Sequence, residues 1–295
     1  MRRGLLFLLV PCACAQLTGV ADLEVRPAES EITPPPDGAR PEADASDATD
    51  GPPATLVDAP FDNFVADVVR DVPLGTCGLP TNDAFTSVPP PPWVFRGNAT
   101  YANPGVRLTA SAAGETGALY WDSPYTFDRL DVTFGYRITT DPASVDFGPG
   151  DGLAFAWIAG NAPPDVVLNN GGGFGLTGLT GYAVAIDAYQ NGEYMDPAVP
   201  NISIKKTADV TNVASTGAIA ALIDGNEHLV RVRLANGSVT VSLDGTDVLG
   251  PIALPGYAPY SGYFGFAAAT GGAFEDHLLT RATVRIGTTG ACAAP

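Results

Sequence analysis

Alternation is the most regular feature of the chain. Leu130-Asp-Val-Thr-Phe-Gly-Tyr-Arg-Ile138 places an apolar side chain at every second position, and Val230, Val232 and Leu234 repeat the pattern between arginines. A period of two is that of a strand with one face in a core. Similar runs occur at Val106–Thr109, Ala118–Trp121, Leu153–Ile158, Tyr182–Tyr189, Ile202–Lys205, Ser238–Leu243, Tyr263–Ala269 and Ala282–Ile286. The turn dipeptides Asn236-Gly and Asp244-Gly stand beside two of the strands. No long helical period and no internal repeat interrupts the series. The pattern predicts an all-β domain, an antiparallel β-sandwich with a substantial core, over residues 77–295.

Upstream of Cys77 the composition is different. Met1-Arg-Arg-Gly and the apolar run Leu5 to Val10 have the form of an export leader over residues 1–15, too short to span a bilayer. Ala13-Cys14-Ala15 fits cleavage by a signal peptidase, and Cys14 equally fits the lipidated cysteine of a bacterial lipoprotein. Both readings stay open. Residues 16–76 carry thirteen acidic residues, three basic residues and nine prolines. Such a segment cannot bury enough apolar surface to offset ordering, so it is expected to be a disordered tether. Phe61, Phe64, Val65, Val68, Val69 and Val72 fall at helical spacing, but read as occasional apolar residues in a linker. A long spacer favours the lipoprotein form of the leader, with the chain tethered to a membrane through Cys14.

Of the four cysteines, two lie in the leader and two, Cys77 and Cys292, bracket the sandwich. Export into an oxidising compartment is expected to join Cys77 to Cys292. The formal charge of −17, from 15 basic and 32 acidic residues, argues against binding a nucleic-acid backbone or an anionic membrane surface. It suits cation binding and neutral partners.

Candidate chemistry concentrates in one stretch, Val184-Ala-Ile-Asp-Ala-Tyr-Gln-Asn-Gly-Glu-Tyr-Met-Asp-Pro-Ala-Val-Pro-Asn-Ile-Ser-Ile204, where a strand breaks into a Gly/Asp/Pro loop. Asp187, Asn191 and Asp196 in that break are hard oxygen donors, the set Ca²⁺ prefers. An ordinary polar turn would also use these residues. The spacing Asp-x3-Asn-x4-Asp-Pro-x3-Asn-Ile, entered from an apolar strand, resembles the metal loop of the legume-type (L-type, concanavalin A-like) lectins. The resemblance implies a single Ca²⁺ held by Asp187, the Tyr189 carbonyl, Asn191 and Asp196. The family's glutamate and histidine, which serve a second, transition-metal ion, are Ala185 and Asn201 here, so that second site is expected to be absent.

Three further segments follow the family's order. Gly150-Asp151-Gly-Leu-Ala-Phe155 resembles the segment whose aspartate accepts sugar hydroxyls, after a cis peptide. Gly171-Gly-Gly-Phe174-Gly resembles the loop that offers a backbone N–H to the sugar, implicating Gly173. Ala269-Thr-Gly-Gly272-Ala273-Phe-Glu-Asp-His277 resembles a C-terminal loop whose donors would be Gly272 and Ala273, with His277 structural. The opening strands, from Trp93-x-Phe-x-Gly-Asn98, follow the family as well, so the likeness covers nearly all of 77–295 and implies a concanavalin A-like jelly-roll. The implied function is calcium-dependent, non-catalytic binding of a glycan or polysaccharide, through Asp151, Gly173, Asn191, Gly272 and Ala273, with Phe174 or Tyr194 stacking on the sugar. Rivals on the same sandwich are a glycoside hydrolase, which needs two carboxylates about 5–10 Å apart, and a structural or adhesive surface protein.

Overall fold

The computed structural model describes residues 81–140, 148–166 and 171–287, all within the unit spanning Phe61–Pro295. The export leader, the tether, Cys14, Cys77 and Cys292 lie outside the described residues. No described helix is long and apolar enough to cross a membrane.

Sixteen strands are formed in the described residues: β1 (Thr81–Asp83), β2 (Trp93–Gly97), β3 (Thr100–Tyr101), β4 (Val106–Thr109), β5 (Thr116–Trp121), β6 (Tyr125–Thr126), β7 (Arg129–Thr140), β8 (Gly152–Ala159), β9 (Gly181–Asp187), β10 (Asn201–Lys206), β11 (Asn212–Ser215), β12 (His228–Ala235), β13 (Ser238–Leu243), β14 (Thr246–Ala253), β15 (Ser261–Ala269) and β16 (Glu275–Gly287). They build two antiparallel sheets. One runs β14-β13-β12-β7-β16-β4-β3 with β1 on β16; the other runs β11-β10-β9-β8-β15-β5-β2 with β6 on β15.

Alternation decides which side chains meet between the sheets. Leu130, Val132, Phe134, Tyr136 and Ile138 of β7 join Val230, Val232 and Leu234 of β12 and face Phe155, Trp157, Val184, Ile186, Ile204, Phe264 and Phe266 from the second sheet. Phe134, Phe155 and Phe266 form the centre, with ring centroids 5.3–6.4 Å apart.

The second sheet is buried on both sides. Its outer face carries Ala154 and Ala156 of β8, Ala183 and Ala185 of β9 and Ala267 of β15, which pack with Phe174 and Leu176 into a second apolar cluster. Small side chains on that face let the Gly171–Leu179 segment lie close over the sheet. Every residue of β8 except its last is therefore buried, and β8 reads as a continuous apolar run rather than an alternating one.

Candidate sugar and cation site

Three loops converge where β8 begins and β9 and β15 end. Gly152 pairs with Asp187 on one side and Ala269 on the other, so Asp151, the loop after Asp187 and the loop after Ala269 are neighbours by register alone. Backbone bonds fix them: Asp151 N–H donates to the Ala269 carbonyl (3.1 Å) and Ala188 N–H to the Asp151 carbonyl (2.9 Å). The Gly150–Asp151 peptide is cis, as the resemblance implied. A cavity of about 230 Å³ opens between the loops, lined by Asp151, Gly171, Gly172, Tyr189, Asn191, Glu193, Gly271, Gly272 and Ala273.

Asp151 and Asn191 form its polar centre. Both are buried, and Asn191 Nδ2 donates to Asp151 Oδ1 at 3.2 Å. Asp151 Oδ2 is the less engaged of the two oxygens: the Gly271 N–H lies near it but points chiefly at the Ala273 carbonyl, 3.1 Å away. Burial pushes the Asp151 carboxyl up to about 6, against the Asn191 hydrogen bond and the charge of His277. An acceptor with an unused oxygen at a cavity wall is suited to a hydroxyl donor from a ligand.

The glycine wall exists for close approach. A Cβ on Gly171 would stand 2.0 Å from Asp151 Oδ2, and one on Gly172 would stand 2.4 Å from Asn191 Nδ2. Gly171 and Gly172 line the cavity; Gly173 is buried behind them, and its carbonyl accepts from Leu176 N–H at 2.8 Å. Phe174 does not reach a ligand. It is 1% exposed and packed in the outer apolar cluster, because the run of glycines before it turns the chain inward. Of the two rings considered for stacking, only Tyr194 is partly exposed.

Behind Asn191 lies the candidate cation half of the site. Asp187 and Asp196 are buried, and Asn191 N–H donates to Asp196 Oδ2 at 3.1 Å. A 3-10 turn at Gly192–Tyr194 bends the loop so that Asp196 returns beneath Asn191, with Met195 in the left-handed region. Asp187 Oδ2 faces the ammonium of Lys205 at 3.0 Å, and Asp187 Oδ1 is buried without a hydrogen-bond partner. Burial raises the Asp187 carboxyl to about 6, with the neighbouring Asp196 adding to the rise and Lys205 opposing it. Asn191 Nδ2 also lies 3.4 Å from the Tyr189 carbonyl, so all four expected donors are gathered in one place. Among the described residues no three His, Cys, Asp or Glu side chains form a metal-binding group. The donor set here is two carboxylates, an amide oxygen and a carbonyl. By its chemistry this oxygen set suits a hard cation, and its two carboxylates already share the positive charge of Lys205.

Sequence reasoning missed Lys205. Its ammonium stands 2.6 Å from Asp196 Oδ1 and 3.0 Å from Asp187 Oδ2, and its side chain is 2% exposed. The available signal was positional: Asn201, Ser203 and Lys205 alternate with Ile202 and Ile204 and so share the face that carries Asp187. Glu193, at the cavity rim, was likewise not singled out. His277 is structural, with Nδ1 2.6 Å from Thr109 Oγ1 and Nε2 3.2 Å from Glu275 Oε1. A larger depression of about 400 Å³ lies on the other sheet between Arg107, Arg137 and Asp276, away from these loops.

The sandwich and this loop constellation define a lectin-type domain. The sequence profile of the legume-like lectin family matches residues 79–242, more than half of the chain, and the chain belongs to that family. Among solved structures it is similar to the Bauhinia forficata lectin in complex with GalNAc (21% identity, TM-score 0.57, covering 72% of this chain and 100% of that one). Basic winged bean lectin with Tn-antigen is also similar (20% identity, TM-score 0.62, with the same coverage), as is the Ca²⁺/Man3GlcNAc-bound exoplasmic/lumenal domain of VIP36 (19% identity, TM-score 0.51, covering 68% and 86%). No curated protein matches the chain in sequence.

Proposed function

We propose that this chain is a calcium-dependent, non-catalytic carbohydrate-binding domain, exported and held at a bacterial surface. The observation that carries the reading is the buried Asp151–Asn191 hydrogen bond at the floor of a cavity walled by glycines, backed by Asp187 and Asp196. Asp151 accepts a hydroxyl hydrogen, and Asn191 donates from its amide while its oxygen faces the ion. Backbone groups of Gly171, Gly172, Gly272 and Ala273, which line the cavity, complete the contact. Calcium, when bound by Asp187, the Tyr189 carbonyl, Asn191 and Asp196, supplies the charge that holds Asn191 in its donating position.

Support for a glycan partner comes from the family and from neighbours solved with GalNAc, Tn-antigen and Man3GlcNAc. The leader and the acidic tether support export, with lipidation at Cys14 as the means of attachment. Glycosidic cleavage is the rival reading, because Glu193 brings a second carboxylate to the cavity that holds Asp151. A glycan array probed with and without Ca²⁺, run beside a reducing-sugar assay on polysaccharides, tests both. Calcium-dependent binding without sugar release is expected; sugar release would replace the lectin reading with a hydrolase.

A further inference from the structure

Lys205 is among the largest fully buried side chains of the domain, and it is the only buried cation among the described residues close to Asp187 and Asp196. The strand register shows how it reaches them. Lys205 is opposite Ala183, Ser203 opposite Ala185, and Asn201 opposite Asp187. The two alanines of β9 leave a lane along which the lysine stem runs to the carboxylates; a longer side chain at Ala185 would stand in it. The ammonium also lies over the Phe174 ring, 5.7 Å from its centroid. Asn212 Nδ2 joins the ammonium on Asp196 Oδ1 at 3.2 Å.

The surroundings are polar and unsatisfied. Asp187 Oδ1, Asn201 Oδ1, Ser203 Oγ and Asn212 Oδ1, on the aspartates' own side chains or those of neighbouring strands, are buried without a hydrogen-bond partner. Two buried carboxylates with no cation would repel each other and lose their hydration. The ammonium is held by side-chain packing and does not depend on an ion in solution.

We propose that Lys205 is a built-in counter-cation. It keeps Asp187 and Asp196 in place without metal, so that the loop over residues 188–200 is organised before a divalent ion arrives. Lys205 is thus a positioning residue, acting on the sugar site through the aspartates and Asn191. The divalent half of this statement rests on the calcium reading above; the metal-free half does not.

The test compares wild type with Lys205→Met, each alone and in an Asp187→Asn/Asp196→Asn background, in EDTA and in Ca²⁺. Thermal melting and proteolysis within 188–200 are the readouts. In EDTA, Lys205→Met should melt on the order of 10 °C below wild type and be cut in the loop that wild type protects. Ca²⁺ should narrow that gap, since it restores the missing charge. In the Asp187→Asn/Asp196→Asn background, the lysine substitution should change little. Equal losses in EDTA, in Ca²⁺ and in both backgrounds would reduce Lys205 to packing and overturn the proposal. If Lys205→Met does not fold, folding of the triple variant is the expected result, and its failure would also overturn the proposal. Wild type that binds no Ca²⁺, with the EDTA results as expected, would support the role of Lys205 and remove calcium from the reading.

Discussion

At the scale of single residues, the candidate sugar cavity depends on what is missing from side chains as much as on what is present. Gly171 and Gly172 take ordinary negative φ, so their value is the space a Cβ would fill against Asp151 and Asn191. Gly172→Ala should push Asn191 off Asp151. The expected outcome is a one- to two-decade loss of glycan affinity (about 1.5–3 kcal/mol) with little change in melting temperature, checked by calorimetry and scanning fluorimetry. Asp187, Asn191 and Asp196 stand out in the sequence by their spacing along one loop, and Asp151 by its separate Gly150–Phe155 segment. Lys205 was not legible, because a lysine at the end of a strand is ordinarily a solvated residue. Only the register against β9 turns it inward.

At the scale of elements, the outer face of the second sheet explains where the sequence pattern misled. Strands with one solvated face, such as β7 and β12, were legible from alternation to within two residues at each end. In β16 only the second half was legible. Its first half, Glu275–Arg281, is rich in charged side chains that are nonetheless paired, as in Arg281 Nε to Glu227 Oε1 at 2.9 Å. Strand β14, with Gly250-Pro251 inside it and mostly exposed side chains, gave no periodic signal. Phe174 reads as a candidate stacking ring in a glycine loop, whereas it anchors that loop to the sheet. Phe174→Ala should therefore destabilise the domain by about 3–5 kcal/mol in denaturant unfolding, as expected for a lost core ring, and loosen Gly171–Gly173 with it. A variant that kept full stability but lost glycan binding would return Phe174 to the ligand.

At the scale of the whole molecule, His228 is a pH-sensitive pairing away from the site. Its Nδ1 lies 2.8 Å from Asp244 Oδ2 and its Nε2 3.2 Å from Asp224 Oδ1, while the Tyr136 ring packs at 5.9 Å. Partial burial works to lower its pKa, but the two carboxylates outweigh this and hold it above 6.5. A raised histidine stabilises the fold fully below its unfolded pKa, and that contribution is lost as pH rises through the folded value. Melting temperature should fall over that window in wild type, and His228→Gln should flatten that part of the profile. An unchanged profile in the variant would mean that the pair contributes nothing to stability.

The proposed function rests on one coupling: calcium at Asp187 and Asp196 would organise Asn191, and Asn191 with Asp151 would hold the sugar. Calorimetry on wild type, Asp187→Ala and Asp151→Ala, titrated first with Ca²⁺ and then with a glucose-, mannose- or galactose-type glycan found on the array, measures it directly. Asp187→Ala should lose calcium affinity and sugar affinity together. Asp151→Ala should keep calcium affinity and lose about one to two decades in sugar affinity. If Asp187→Ala bound the glycan as wild type does, calcium would not organise the site, and the account would be contradicted.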